Sequence, residues 1–118
     1  MVQIILWVIG TDVHYGTIGI PARLAMSKKA EVTIVTVVYG KRWGLLRQVL
    51  DVCLLEPRYT TLIIVDNGCT DPQAMDAYAA SHGERIVILR QIKNIGYSGA
   101  INQGLARART TDSDFVFI

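Results

Sequence analysis

The stretch that most constrains this chain is Leu62 to Pro72, Leu-Ile-Ile-Val-Asp-Asn-Gly-Cys-Thr-Asp-Pro. A short apolar run reaches a carboxylate, Asp66, passes through a Gly-containing turn, and reopens at Asp71-Pro72. An acceptor side chain followed by proline is a helix start, because the carboxylate bonds the first free N–H groups and proline tolerates the first helical turn. The stretch therefore predicts a strand over Leu62–Asp66, a functional loop and a helix. Asp66 falls at the carboxyl end of that strand, where open α/β sheets bind their ligands.

The same unit repeats around it. Glu31 to Tyr39 is dominated by β-branched residues, which suit a pleated strand, and ends at Gly40. Leu45, Leu46, Val49, Leu50, Cys53 and Leu54 recur at helical spacing through about Leu55, and Pro57 stops them. After Asp71, a face of Met75, Tyr78, Ala79 and His82 runs to Gly83. Ile86 to Leu89 is the next strand, Lys93 to Tyr97 its loop, and Ser98 opens a helix with the face Ile101, Leu105, Ala108. Asp114 to Ile118 begins a further strand. Strands alternating with helices imply parallel pairing through helical crossovers, hence a Rossmann-like three-layer α/β/α fold with a mainly parallel sheet.

Residues 1–30 read as an N-terminal extension of unclear structure ahead of a domain spanning 31–118. Ile4 to Ile9 is apolar, but Thr11, Asp12 and His14 interrupt it well short of the roughly 20 residues of a membrane span. No basic residue precedes the run as a secretory signal requires. Gly10, Gly16, Gly19 and Pro21 suggest a strand followed by turns, then a short irregular or helical piece.

Composition narrows the partners. Twelve basic and ten acidic residues leave a net charge of +2, too small and scattered for nucleic-acid binding. Cys53 and Cys69 form neither a disulfide framework nor a zinc spacing, which points to a reducing, cytoplasmic setting. With 51% hydrophobic residues in 118, the sheet is expected to be buried on both faces and to leave an edge open to a second copy.

The strand ends should converge, bringing Tyr39, Asp66, Asn67 and the Lys93–Tyr97 loop to one edge. Asp66 can accept an N–H from a base or a ribose hydroxyl, or simply cap its own loop. Tyr39 can stack on a base or merely pack. The segment Asn94 to Gly104 is Gly-rich at a helix start, where free N–H groups and the dipole favour phosphate. Its glycines suit diphosphate contact and close helix-to-sheet packing equally. Leu105 and Ala106 replace the Lys and Ser/Thr of a Walker loop, and no Gly-x-Gly-x-x-Gly follows the first strand, so an NTPase and an ordinary NAD enzyme both lose ground.

Taken in order, Val-Thr-Ile-Val-Thr-Val-Val-Tyr-Gly-Lys-Arg, Ile-Ile-Val-Asp-Asn-Gly-Cys-Thr-Asp and Asn-Ile-Gly-Tyr-Ser-Gly-Ala-Ile-Asn-Gln-Gly resemble the amino-terminal half of a family 2 glycosyltransferase of the GT-A fold. The resemblance implies a UDP- or dTDP-sugar donor and a glycan or lipid acceptor. By it Tyr39 flanks the base, Asp66 and Asn67 bind the nucleotide, and Asn94, Gly96, Tyr97 and Asn102 border the ribose and diphosphate. The Asn-x-Gly-aromatic-x-Gly form is most similar to members handling rhamnose or galactofuranose. Gly40 stands where the family often has Asn, and Cys69 where it has Ser. The resemblance also implies Mg2+ or Mn2+, held by an Asp-x-Asp after the fourth strand. Asp112 and Asp114 match by letters but precede that strand. The expectation is therefore a fragment inert by itself, with no catalytic or metal residue of its own, working in the cytoplasm or at the inner face of a membrane. The rival expectation is a noncatalytic, degenerate nucleotide-binding or interaction module.

Overall fold

The computed structural model describes residues 6–8 and 31–118. Five strands form one sheet in the order β1-β5-β2-β3-β4. They are β1 (Leu6–Val8), β2 (Val32–Gly40), β3 (Tyr59–Cys69), β4 (Ile86–Arg90) and β5 (Phe115–Phe117). The last four run parallel, and β1 pairs antiparallel with β5. The Rossmann-like expectation holds. The strand expected in the Ile4–Ile9 run is β1, which joins the sheet; the remaining readings of residues 1–30 lie outside the described residues.

Three helices connect the parallel strands: α1 (Trp43–Cys53), α2 (Pro72–Ser81) and α3 (Tyr97–Ala108). Side-chain alternation divides the core in two. Val32, Ile34, Val38, Leu62, Ile64 and Ile86 face α1 and α2, meeting Trp43, Leu46, Leu50, Met75 and Tyr78. Val35, Ile63, Val65 and Val116 face α3, meeting Ala100 and Ala108. Strands buried on both faces explain the continuous apolar runs. The chain leaves β2 for β3 and β4, then returns through α3 to place β5 on the other side of β2. The connection reverses at β2, so the carboxyl end of that strand opens on the switch-point crevice where such sheets take their ligands.

Five local expectations change. In α1, Trp43 joins the buried face while Leu45 turns to solvent, because the inward line runs Trp43, Leu46, Leu50, Cys53 at helical spacing. The helix ends at Cys53 rather than near Leu55. In α3 the inward line is Ala100, Gly104, Ala108, one step round from Ile101 and Leu105, which are half-buried. Small residues at i, i+4 and i+8 let the helix axis approach the sheet, and that closeness decides which stripe faces it. Ser98 does not cap α3; Gly96 holds the cap position with φ +81°. Finally, β3 runs on from Asp66 to Cys69 instead of stopping at the carboxylate.

Candidate functional site

The continuation of β3 is a bulge. Val38 pairs with Asp66 and Gly40 with Cys69, so β3 carries one extra residue over that step, and Gly68 takes it up at φ +102°. Asp66 fastens the bulge from within: Oδ1 accepts N–H bonds from Gly68 at 3.2 Å and Cys69 at 2.8 Å. The Gly40 carbonyl closes it from β2, accepting from the N–H and the hydroxyl of Thr70. Asp71 then starts α2 as expected, accepting from the Ala74 N–H at 3.2 Å with Pro72 in the first turn.

Because side chains alternate, Asp66 and Asn67 serve opposite faces of the sheet. Asp66 shares the α2 side with its register neighbour Arg90. Arg90 Nε donates to Asp66 Oδ2 at 2.8 Å, and its two Nη groups grip Asp76 of α2 at 3.3 and 2.8 Å. Asp76 first and Asp66 second push the guanidinium pKa further above its ordinary value, so Arg90 stays charged. With three donors and 4% exposure, the Asp66 carboxylate is held in place by the protein itself. The self-capping role weighed for it is present, together with an ion pair to Arg90.

Asn67 serves the α3 side. Its amide donates to Asn94 Oδ1 at 3.1 Å and to the Gly96 carbonyl at 3.3 Å, and its oxygen accepts the Ile95 N–H at 2.9 Å. Asn94 Oδ1 accepts the Gly96 N–H as well, at 2.8 Å. These bonds shape the turn that enters α3, whose N-terminus has no side-chain cap and opens at the exposed residues Tyr97 and Ser98. Tyr39, on the same side of the sheet by alternation, presents a ring 43% exposed, with the Arg42 guanidinium 4.7 Å from its centroid.

The structure thus joins Asn67, Asn94 and Gly96 through hydrogen bonds and sets Tyr97 beside them, while Tyr39 stands at the end of β2. Asn102 is exposed, two positions from the inward-facing Ala100, and takes no part in those bonds. Sequence reasoning missed Arg90, Asp76 and Arg42. No local signal gives them away: Arg90 lies one residue past the strand expected over Ile86–Leu89 and meets Asp66 only through register, and the other two needed tertiary contacts.

Asp112 lies at the opposite edge of the sheet from Asp66, and Asp114 there accepts the Glu31 N–H just before β2. Among the described residues no three His, Cys, Asp or Glu side chains stand together to hold a metal ion. Nor is any helix among them long and apolar enough to cross a membrane. Cys53 is buried, and burial pushes its thiol pKa up.

Neither a curated protein nor a solved structure matches the chain. The family model described as "Glycosyl transferase family 2" matches residues 33–118, which contain β2 but for its first residue, β3 through β5, the bulge and the whole of the Asn67–Asn94–Gly96 cluster. The parallel α/β sheet, its switch-point edge and that match make the chain a member of glycosyl transferase family 2.

Proposed function

We propose that residues 31–118 form the nucleotide-sugar-binding unit of a glycosyltransferase, taking a UDP- or dTDP-sugar. The observation that carries the reading is one of position. The exposed Tyr39 ring ends β2 at the switch-point crevice, on the side of the sheet where α3 opens its uncapped N-terminus.

In this reading the base stacks on Tyr39, a contact worth about 1–3 kcal/mol. Asn94, Gly96 and Tyr97 border the ribose and diphosphate, whose charge is favoured by the free N–H groups and dipole of α3. Asn102 lies one turn further along the same helix, toward the sugar. Asp66 contributes by holding the bulge that aims Asn67, since its carboxylate already serves three donors. Family 2 enzymes generally use a divalent metal, which when bound offsets the charge of the leaving diphosphate. The setting is the cytoplasm or the inner face of a membrane, with a glycan or lipid acceptor. The outer strand β4 offers a second copy an edge to pair with, a point light scattering decides.

The test is calorimetric titration of the chain with UDP, dTDP and NADH, each with and without Mn2+, repeated on Tyr39→Ala. Binding of UDP or dTDP that weakens roughly 5- to 150-fold in the variant, the size of a lost stacking contact, supports the proposal. Preference for NADH, or no nucleotide binding at all, overturns it.

A further inference from the structure

We propose that Asn67 is a positioning residue of this edge, acting on the nucleotide only through the turn it holds. The inference rests on the nucleotide-sugar reading. Its basis is that Asn67 is buried, with 2% exposure, and that its amide nitrogen donates twice and its oxygen accepts once within the protein. One amide spans three successive residues of a turn more than 25 positions away in sequence: the Asn94 carboxamide oxygen, the Ile95 N–H and the Gly96 carbonyl. No surface is left for a ligand.

The orientation of the amide follows from its partners. Ile95 N–H needs an acceptor and Gly96 O needs a donor, so a flipped carboxamide would set N–H against N–H and oxygen against oxygen. Only a side chain that donates and accepts at this reach does the task. Aspartate has the reach but no donor, and it would bring a carboxylate against Asn94 Oδ1 and Gly96 O.

The turn matters because Gly96, at φ +81° and ψ 165°, is the last residue before α3, and no side chain caps the helix. The direction in which the first N–H groups of α3 point is therefore set by the turn. The turn is in turn fixed to β3 by Asn67. Asp66 and Gly68 flank it in the bulge, so the same local geometry that buries Asp66 on one face delivers Asn67 to the other.

The experiment compares UDP with uridine, which shares the base and ribose but lacks the diphosphate, by calorimetry on the full chain. Asn67→Asp and Asn67→Ala are expected to weaken UDP at least tenfold while changing uridine by less than twofold. Denaturation midpoints establish that the variants fold, and where Asn67→Ala does not, Asn67→Asp, which keeps the volume and the acceptor for the Ile95 N–H, carries the test. Amide exchange at Ile95 and Gly96 should speed up in all of them. Equal weakening of UDP and uridine would make Asn67 a general scaffold residue and overturn the proposal, as would unchanged UDP affinity. A wild-type chain that binds neither ligand fails before any variant is made, and identifies the nucleotide reading as the step at fault.

Discussion

Gly104 of α3 lies so close to Val35 of β2 that a Cβ placed on the glycine would stand 2.2 Å from Val35 Cγ1 and 3.1 Å from Val65 Cγ2. Valine is stiff at χ1 and buried on both sides here, so its methyl cannot swing clear. Overpacking in Gly104→Ala should therefore cost about 1–3 kcal/mol. Set against the roughly 1 kcal/mol alanine gains over glycine in a helix interior, this leaves the variant less stable by up to about 2 kcal/mol. Denaturant midpoints decide it, and adding Val35→Ala should recover part of the loss. A more stable Gly104→Ala would place α3 further from the sheet.

Asp66 and Arg90 form a one-sided pair, a buried carboxylate against a guanidinium 45% exposed. Arg90→Gln leaves the Asp66 charge without its cation. A fully buried pair broken this way costs about 3–5 kcal/mol, but solvent around Arg90 discounts the expectation to about 1–2 kcal/mol. Asp66→Asn should cost a comparable amount through its weaker acceptance from Gly68 and Cys69. The double variant should lose less than the sum of the two, as a chemical-denaturation cycle would show.

Glu56 supplies a pH signature. Arg58, bonding through Nε at 2.6 Å and through its own N–H at 3.1 Å, holds the Glu56 carboxyl down at about 2 against an ordinary value of 4.5. A depressed folded-state pKa means a stabilising contribution fully present above the ordinary value and lost as pH falls from there to about 2. Glu56→Gln should accordingly be less stable than wild type at about pH 6 and converge on it as pH falls through about 2. NMR titration of the Glu56 side chain gives the midpoint directly; a value near the ordinary one would remove the argument.

The cap at Asp71 is worth a separate measurement because α2 is short. Asp71→Ala removes the acceptor of the Ala74 N–H and should cost about 1 kcal/mol, while Asp71→Ser keeps an acceptor and most of the stability. Equal loss in both variants would show that charge near the helix start, not the hydrogen bond, is what matters.

Thiol labelling separates the two cysteines. Cys69 is half-exposed in the bulge and should react with a soluble maleimide in the native state, whereas Cys53, buried under α1 with its thiol pKa raised, should react only as the chain unfolds. Rapid native labelling of both would mean that α1 opens from the sheet.

Local chemistry alone was enough to read the alternation of strands and helices, the start of α2 at Asp71-Pro72, the place of Cys53 in the core and the strand edge that gathers the candidate residues. Each of these depends on the spacing of apolar residues or on a side chain bonding a backbone group three positions away. The three linked motifs likewise resembled the family whose model matches residues 33–118. What the tertiary structure decided depends on register between distant segments. The pairing of Val38 with Asp66 and Gly40 with Cys69 creates the bulge, and the bulge sends Asp66 to Arg90 on one face and Asn67 to Asn94 on the other. The contact of Gly104 with Val35 selects the stripe of α3 that faces the sheet. Neither is visible locally, because a side chain's partners across the sheet follow from which strand lies beside which, and strand order is set by the packing of the whole chain.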